Sequence, residues 1–294
     1  MNNKTVIILL VILLFVTGCQ EKGARIIVEE ESSLPTPSEN RAAIPNLEEN
    51  KPLIILGETD PVKIVVRADG APGMYLGDDG EVHGFYVDLE RMIMAEMEQT
   101  YEFIPYTDVG PIVQGIKSGV YHIGLATPDL PDYRSFLNLS IPYEILQYVT
   151  FIQSGNKEIS GTTKDEILAS LHGKKVGVQT QGHIYQELRD IKEIELIEYP
   201  TTTQALEDLD KGFLDAVPDV KRIGLYYSRL NGWDIKPVGG AIISHLLTTS
   251  FSKMVDTSLM DRYNQTLEKI IADGRLESLY ESYFGPMGEE NKPW

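Results

Sequence analysis

The chain of 294 residues contains a single cysteine, Cys19. One thiol cannot form an internal disulfide, so the fold must rest on its apolar core. Histidine is scarce too. The five, at positions 83, 122, 172, 183 and 245, lack the close spacing that metal sites use. Positive charge is outnumbered: 26 Lys and Arg face 44 Asp and Glu, a formal net charge of −18. Nucleic-acid binding rests on neutralising phosphates with Lys and Arg, so this balance argues against such a partner. There is no glycine-rich phosphate loop, no internal repeat and no implied cofactor. No apolar run reaches the ~20 residues of a membrane-spanning helix.

The longest apolar run is Val6 to Val16, eleven residues behind Lys4. That length fits the h-region of a signal peptide. The run ends in Val16-Thr17-Gly18-Cys19, which resembles the lipobox of bacterial lipoproteins. The resemblance implies a signal peptide over 1–18, cleavage before Cys19 and acylation of that cysteine. The protein would then be exported and lipid-anchored on a periplasmic or cell-surface face. Acyl chains supply anchoring at about 0.8 kcal/mol per buried CH₂. Residues 19–60 are rich in Pro, Ser and acidic side chains, the composition of a flexible tether.

From Pro61 the pattern alternates between strand and helix. Val62 to Val66 is β-branched and reads as a strand. Asp78-Asp79-Gly80 marks a turn between two extended pieces. A helix follows with Asp88 as its cap and Leu89, Met92, Ile93 and Met97 on one face. Tyr101 to Ile104 reads as a strand. Pro111 to Ser118 reads as a helix with Gly119 past its end. Tyr121 to Ala126 is a strand that delivers a polar loop holding Thr127, Asp129, Asp132 and Arg134. Such loops lie beyond the carboxyl ends of strands, where ligands bind in open α/β sheets.

A second set begins after Tyr143. Tyr148 to Gln153 is extended, and Thr163 with Glu166 forms a capping box. Lys175 to Gln179 is a strand, Gly182 starts a helix through Leu188, and Leu196 to Tyr199 is extended. Thr203 caps a helix that ends at Gly212, and Phe213 to Val217 is a strand that delivers Asp219. A long helix then carries Leu259, Tyr263, Leu267, Ile270 and Ile271 on one face. Another helix reaches Phe284, and the last ten residues look like a loose tail.

Five segments, in order, resemble the family 3 extracellular solute-binding proteins, the amino-acid-binding components of bacterial ABC importers. They are Gly84 to Leu89 (GFYVDL), Arg134 with Ser140 to Tyr143 (SIPY), Leu171 to Gln179 (LHGKKVGVQ), Ala205 to Asp219, and Asp273-Gly274 with Tyr283-Phe284-Gly285. The resemblance implies an α/β, two-lobed, periplasmic-binding-protein-like (type II) fold with a hinged cleft. Lobe 1 would hold 61–145 and 246–285, lobe 2 would hold 146–245, and 286–294 would be a tail.

A free amino acid brings an ammonium and a carboxylate, and burying either without a partner is prohibitive. The resemblance assigns the carboxylate to Arg134, whose planar fork can hold two oxygens. Backbone N–H groups where the helix after Gly182 begins, near Gln179 and His183, would add donors. Asp219 would take the ammonium. Thr127 falls where the family has a small ligand-contacting residue. Asp129 would either support the ammonium or pair with Arg134 in the empty cleft. Specificity would come from Arg67 to Tyr75. An arginine at position 67 resembles members that take glutamate or aspartate, with Asp69 as a competing partner. Tyr75 or Met74 would replace an aromatic that relatives place at position 70.

The first function this implies is a non-catalytic binding protein that delivers an amino acid to an ABC permease. Two others stand beside it. Cyclohexadienyl dehydratases share the fold, and Arg67 with Arg134 could hold a dicarboxylate. A sensor that presents its ligand to a receptor is the third. Covalently fused sensors carry a signalling segment after this domain, so a separate receptor is expected.

Overall fold

A computed structural model describes residues 53–294 except 58, 108 and 181. The signal peptide, Cys19 and nearly all of the tether lie outside the described residues. Just inside them, Ile54 forms a parallel bridge with Val255.

The first half builds one α/β core. Strand β1 (Val62–Arg67) lies between β5 (Tyr101–Tyr106) and β6 (Ile123–Pro128), parallel to both. Three short strands, β2 (Asp69–Gly70), β3 (Met74–Leu76) and β4 (Val82–His83), form a small antiparallel sheet. The turn at Asp78-Asp79-Gly80 joins the last two.

Helix α1 (Phe85–Glu96) is capped by Gly84 rather than Asp88. The reason is steric. Gly84 sits at φ 117°, and a Cβ there would lie 2.5 Å from the Gly73 carbonyl oxygen. A backbone that glycine tolerates sets the start of the helix. Asp88 falls in the first turn, where it pairs with Arg91 at 2.9 Å.

Helix α2 (Val109–Ser118) begins two residues before Pro111. The polar loop expected after β6 contains a short helix, α3 (Pro131–Phe136), with Pro131 at its first turn, followed by β7 (Leu137–Leu139).

The second half contains β8 (Glu144–Gln153), α4 (Lys164–Ser170), β9 (Lys175–Gln179), α5 (His183–Leu188) and β10 (Glu195–Tyr199). It continues with α6 (Thr202–Asp210), β11 (Val217–Val220), α7 (Lys221–Asn231) and β12 (Ile235–Ser252). The capping box on α4 forms as its spacing predicts, with Thr163 and Glu166 each taking the other's backbone N–H. Thr201, not Thr203, caps α6; its hydroxyl accepts from the Gln204 N–H. The strand expected over Phe213 to Val217 begins only at Val217, so Asp219 lies within it. Pro218 is accommodated because β11 is a sheet edge, where a missing N–H need cost no ladder bond.

Helices α8 (Thr257–Ala272) and α9 (Arg275–Phe284) close the chain against the first core. Leu259, Tyr263, Leu267 and Ile270 are buried on one face of α8. Each fully buried apolar side chain contributes about 1.5–3 kcal/mol. The last residues do not hang loose. Asn291 is buried and donates to the Ile145 carbonyl at 3.0 Å, and Glu290 pairs with Lys221 at 2.7 Å.

The seven-stranded sheet runs β11-β8-β12-β6-β1-β5, with β7 on β12. The long antiparallel pair β8 and β12 is its spine and connects the separate apolar clusters. The largest gathers β1, α1, α8 and α9 residues such as Ile64, Phe85, Tyr263 and Phe284. Two others gather Val176, Leu188 and Ile242, and Phe151, Leu206 and Val217. The fold is therefore mixed α/β and two-lobed, with a two-stranded ribbon between the lobes. The ribbon's register shifts between Val238 and Ile243. Gly239, at φ 74°, lets the backbone turn there against Ile167.

Candidate functional site

The ends of β1 and β6, the turn after β1, and the N-terminal ends of α5, α6 and α7 surround one cleft of about 1060 Å³. The end of β6 is re-aimed into it by a bulge. Thr248 pairs with Thr127 and Ser250 with Gly124, so an extra residue on β6 is left over. Ala126 takes the left-handed conformation there, at φ 50°. A non-glycine residue so placed costs on the order of 1–2 kcal/mol, and such strain is common beside functional sites. Ala126, Thr127 and Pro128 all line the cleft. The Thr127 hydroxyl donates to Ser250 Oγ at 2.8 Å.

Asp219 also lines the cleft. It is 8% exposed, and its Oδ2 has no hydrogen-bond partner. Burial pushes its carboxyl up to about 7, against the Val220 N–H and Arg222, which pull it down. Its neighbour Tyr148 is pushed up to about 12 by burial and by the Asp219 charge. This is a carboxylate stripped of water with one oxygen unanswered.

Two arginines line the cleft, and each is already closed on a carboxylate. Arg67 Nε lies 2.7 Å from Asp69 Oδ1, with both side chains exposed. Arg222 is buried, and its Nε lies 2.6 Å from Oε1 of the equally buried Glu144. The Tyr86 hydroxyl donates to Glu144 Oε2 at 2.8 Å and accepts from Arg222 Nη2. Burial pulls the Arg222 guanidinium down, and Glu144 beside it outweighs that, leaving it above its ordinary range. Phe284 and Tyr86 also face the guanidinium, at 5.0 and 5.3 Å from their ring centres.

Of the residues expected at the site, Arg67, Asp69, Thr127, Gln179, Gly182, His183 and Asp219 line the cleft. Arg134, Asp129 and Tyr75 do not. Arg134 projects from α3 with its side chain 62% exposed and forms a two-point ion pair with Asp129. That pair holds its guanidinium above the usual range. Tyr133, one residue earlier, is the α3 side chain in the cleft. Successive helical residues point about 100° apart, so an offset of one swings the arginine away. Tyr75 lines a small surface hollow with Asp79 and His83 instead.

Sequence reasoning missed Tyr86, Tyr133, Tyr148, Arg222, Tyr227 and the run Thr201-Thr202-Thr203, all cleft-lining. The segment from Arg134 to Tyr143 runs one residue shorter than in the family it resembles, and that offset was the one signal for Tyr133. The His183 and His245 rings lie 5.7 Å apart, each 6.3 Å from Tyr148. Burial, then His183, pulls the His245 imidazole down. Among the described residues no cluster of three metal-ligating side chains occurs, and no helix is long and apolar enough to cross a membrane.

Solved structures share this architecture. An ancestral arginine-binding protein bound to arginine is 23% identical, with a TM-score of 0.61 over 78% of this chain and 100% of that one. A histidine kinase sensor domain with similarity to periplasmic binding proteins is 21% identical, with a TM-score of 0.64 over 78% and 98%. An ancestral amino-acid-binding protein, a precursor of cyclohexadienyl dehydratase, is 20% identical, with a TM-score of 0.61 over 76% and 95%. No curated protein matches by sequence. The family model for bacterial extracellular solute-binding proteins, family 3, matches residues 62–286. With that match across both halves of the cleft, the chain belongs to the family 3 bacterial extracellular solute-binding proteins.

Proposed function

We propose that the protein captures a small ammonium-bearing solute, an amino acid or a related amine, between its lobes and hands it to an ABC permease. One observation carries this reading: the buried, unpartnered Oδ2 of Asp219 in the cleft wall. A buried charge without a partner is costly, and a bound ammonium would answer it with a charge-assisted hydrogen bond. Lobe 1 is assigned to 61–145 and 246–285, lobe 2 to 146–245, and 286–294 is a tail that docks beside β8. Closure by hinge motion about the β8–β12 ribbon would present the liganded shape to the permease. Acylation at Cys19 would keep the protein at the membrane face where the permease lies.

The reading is one of binding rather than catalysis. A dicarboxylate substrate of the dehydratase type needs two free cations, and Arg67 and Arg222 are both engaged. Arg134 is not in the cleft. The same geometry weighs against an acidic amino acid, since Arg67 already holds Asp69. A receptor in place of a permease would use the same closed form.

Calorimetric titration with amino acids and simple amines tests this reading. The expected result is saturable binding that Asp219→Asn abolishes, with prephenate left unconverted. Equal affinity in the variant would overturn the assignment.

A further inference from the structure

The cleft is lopsided in its offer of charge. On the anionic side stands Asp219, with one oxygen free. On the cationic side, the described lining residues are Arg67, Arg222 and His183. Arg67 makes two contacts to Asp69, at 2.7 and 3.3 Å. Arg222 is locked into the Glu144–Tyr86 group. His183 faces Tyr148 and His245. No guanidinium or ammonium is left over for a ligand carboxylate. Among hydroxyls, Thr127 already donates to Ser250 Oγ at 2.8 Å.

The cavity also has an apolar end. Val65, Ile112, Val113, Ile116, Tyr133 and Leu137 line it from β1, α2, α3 and β7. Val65, Ile116 and Leu137 are buried core residues, while Ile112 and Tyr133 are half-buried and present open surface. At about 1060 Å³ the space is at the upper end of ordinary small-molecule sites, which run from roughly 300 to 1,000 Å³. The Asp219 carboxylate and this apolar lining thus belong to one cavity.

Resting on the solute-binding reading above, we infer that the cleft is specific for a primary amine with an aryl or branched alkyl body, and does not require a ligand carboxylate. An α-amino acid brings a carboxylate that finds no free cationic side chain: it must displace Asp69 from Arg67 or rely on backbone N–H groups where α5 and α6 begin, and without a cation its burial costs affinity. The amine lacking that group enters without the penalty.

The test is competitive calorimetry on the wild-type protein with phenethylamine, phenylalanine and ethanolamine, repeated on Asp219→Asn and Ile112→Asn. The expected result has phenethylamine at least tenfold tighter than either of the others. Asp219→Asn should weaken it at least a hundredfold and Ile112→Asn about tenfold. Ile112 is half-buried, so that variant should remain folded, as its melting curve will show. Phenylalanine binding as tightly as phenethylamine would overturn this inference and leave the solute-binding reading standing. Ethanolamine binding as tightly would overturn the apolar part and with it the inference. Binding of none of the three, nor of any other amine or amino acid, would overturn both.

Discussion

Asp219 is a carboxylate placed where water does not solvate one of its oxygens. Its charged form therefore destabilises the empty protein. The carboxyl titrates near 7, with Arg222, Tyr148 and Tyr227 as the groups that face it. Because the ligand ammonium needs the charged form, affinity should fall about tenfold per pH unit below 7 and level off above it. Calorimetry between pH 5 and 8.5 measures this. Asp219→Asn should raise the melting temperature of the unliganded protein while removing that pH dependence and the binding itself.

Glu90 is the second residue of this kind, but it lies in the core. It is 1% exposed on α1, its Oε2 accepts from the Tyr263 hydroxyl at 2.8 Å, and its Oε1 has no partner. Burial pushes its carboxyl up to about 8, against the Tyr263 hydrogen bond. The folded state thus keeps a proton that the unfolded chain loses near 4.3. Stability contributed by this group is present at low pH and is lost as pH rises from about 4.5 to about 8. Glu90→Gln should not show that loss. The stability gap between variant and wild type, read from urea midpoints, should widen with pH to several kcal/mol near pH 8, at about 1.4 kcal/mol per pH unit. A gap independent of pH would contradict the assignment.

Among the elements, α3 and α7 decide what the cleft contains. Helix α3 places Tyr133 inward and Arg134 outward, a difference of one residue in a spacing already seen to be short. The sequence made the arginine legible as a motif member. It could not show which way a six-residue helix would turn it. Arg134→Ala should therefore leave ligand affinity within twofold of wild type, whereas Tyr133→Ala should weaken it. A large loss in the former, measured by the same titration, would restore Arg134 to the site.

Helix α7 carries Arg222 against Glu144 and Tyr86, Tyr227 against the Ala71 carbonyl at 3.2 Å, and Arg229 against the Phe284 carbonyl at 2.9 Å. Through Tyr86, Ala71 and Phe284 it ties the second half of the chain to the first core. Removing one partner of a buried pair leaves a charge without compensation, at a cost of about 3–5 kcal/mol. Arg222→Met should show a loss of that order by urea unfolding, and a double variant with Glu144→Leu should recover most of it. None of this network was visible in the sequence, because Tyr86, Glu144 and Arg222 are 58 and 78 residues apart. The caps were only partly legible. Thr163 and Thr201 follow a side-chain rule that spacing reveals, with Glu166 and Gln204 three residues on, whereas Gly84 depends on a backbone path fixed by its approach to Gly73.

At the scale of the whole molecule, the alternation of strands and helices and the order of five short motifs sufficed to read a two-lobed α/β fold. Hydrophobic periodicity is local, so it survives without knowledge of tertiary contacts. The cleft's chemistry is not local. It depends on which arginines are already engaged, and that is decided by Asp69, Asp129 and Glu144 together. Asp219 was legible as a motif position, but its burial and its unanswered oxygen were not.

The central claim is that the Asp219 carboxylate receives the ligand's ammonium inside a closed cleft. A crystal structure of the closed form with phenethylamine, or with whatever amine co-purifies, tests it most directly. The account predicts a ligand nitrogen within about 3.2 Å of Asp219 Oδ2, the ion pairs of Arg67 and Arg222 intact and the apolar body against Ile112 and Tyr133. A ligand seated through a carboxylate on Arg67 or Arg134, with Asp219 Oδ2 still unpartnered, would contradict it.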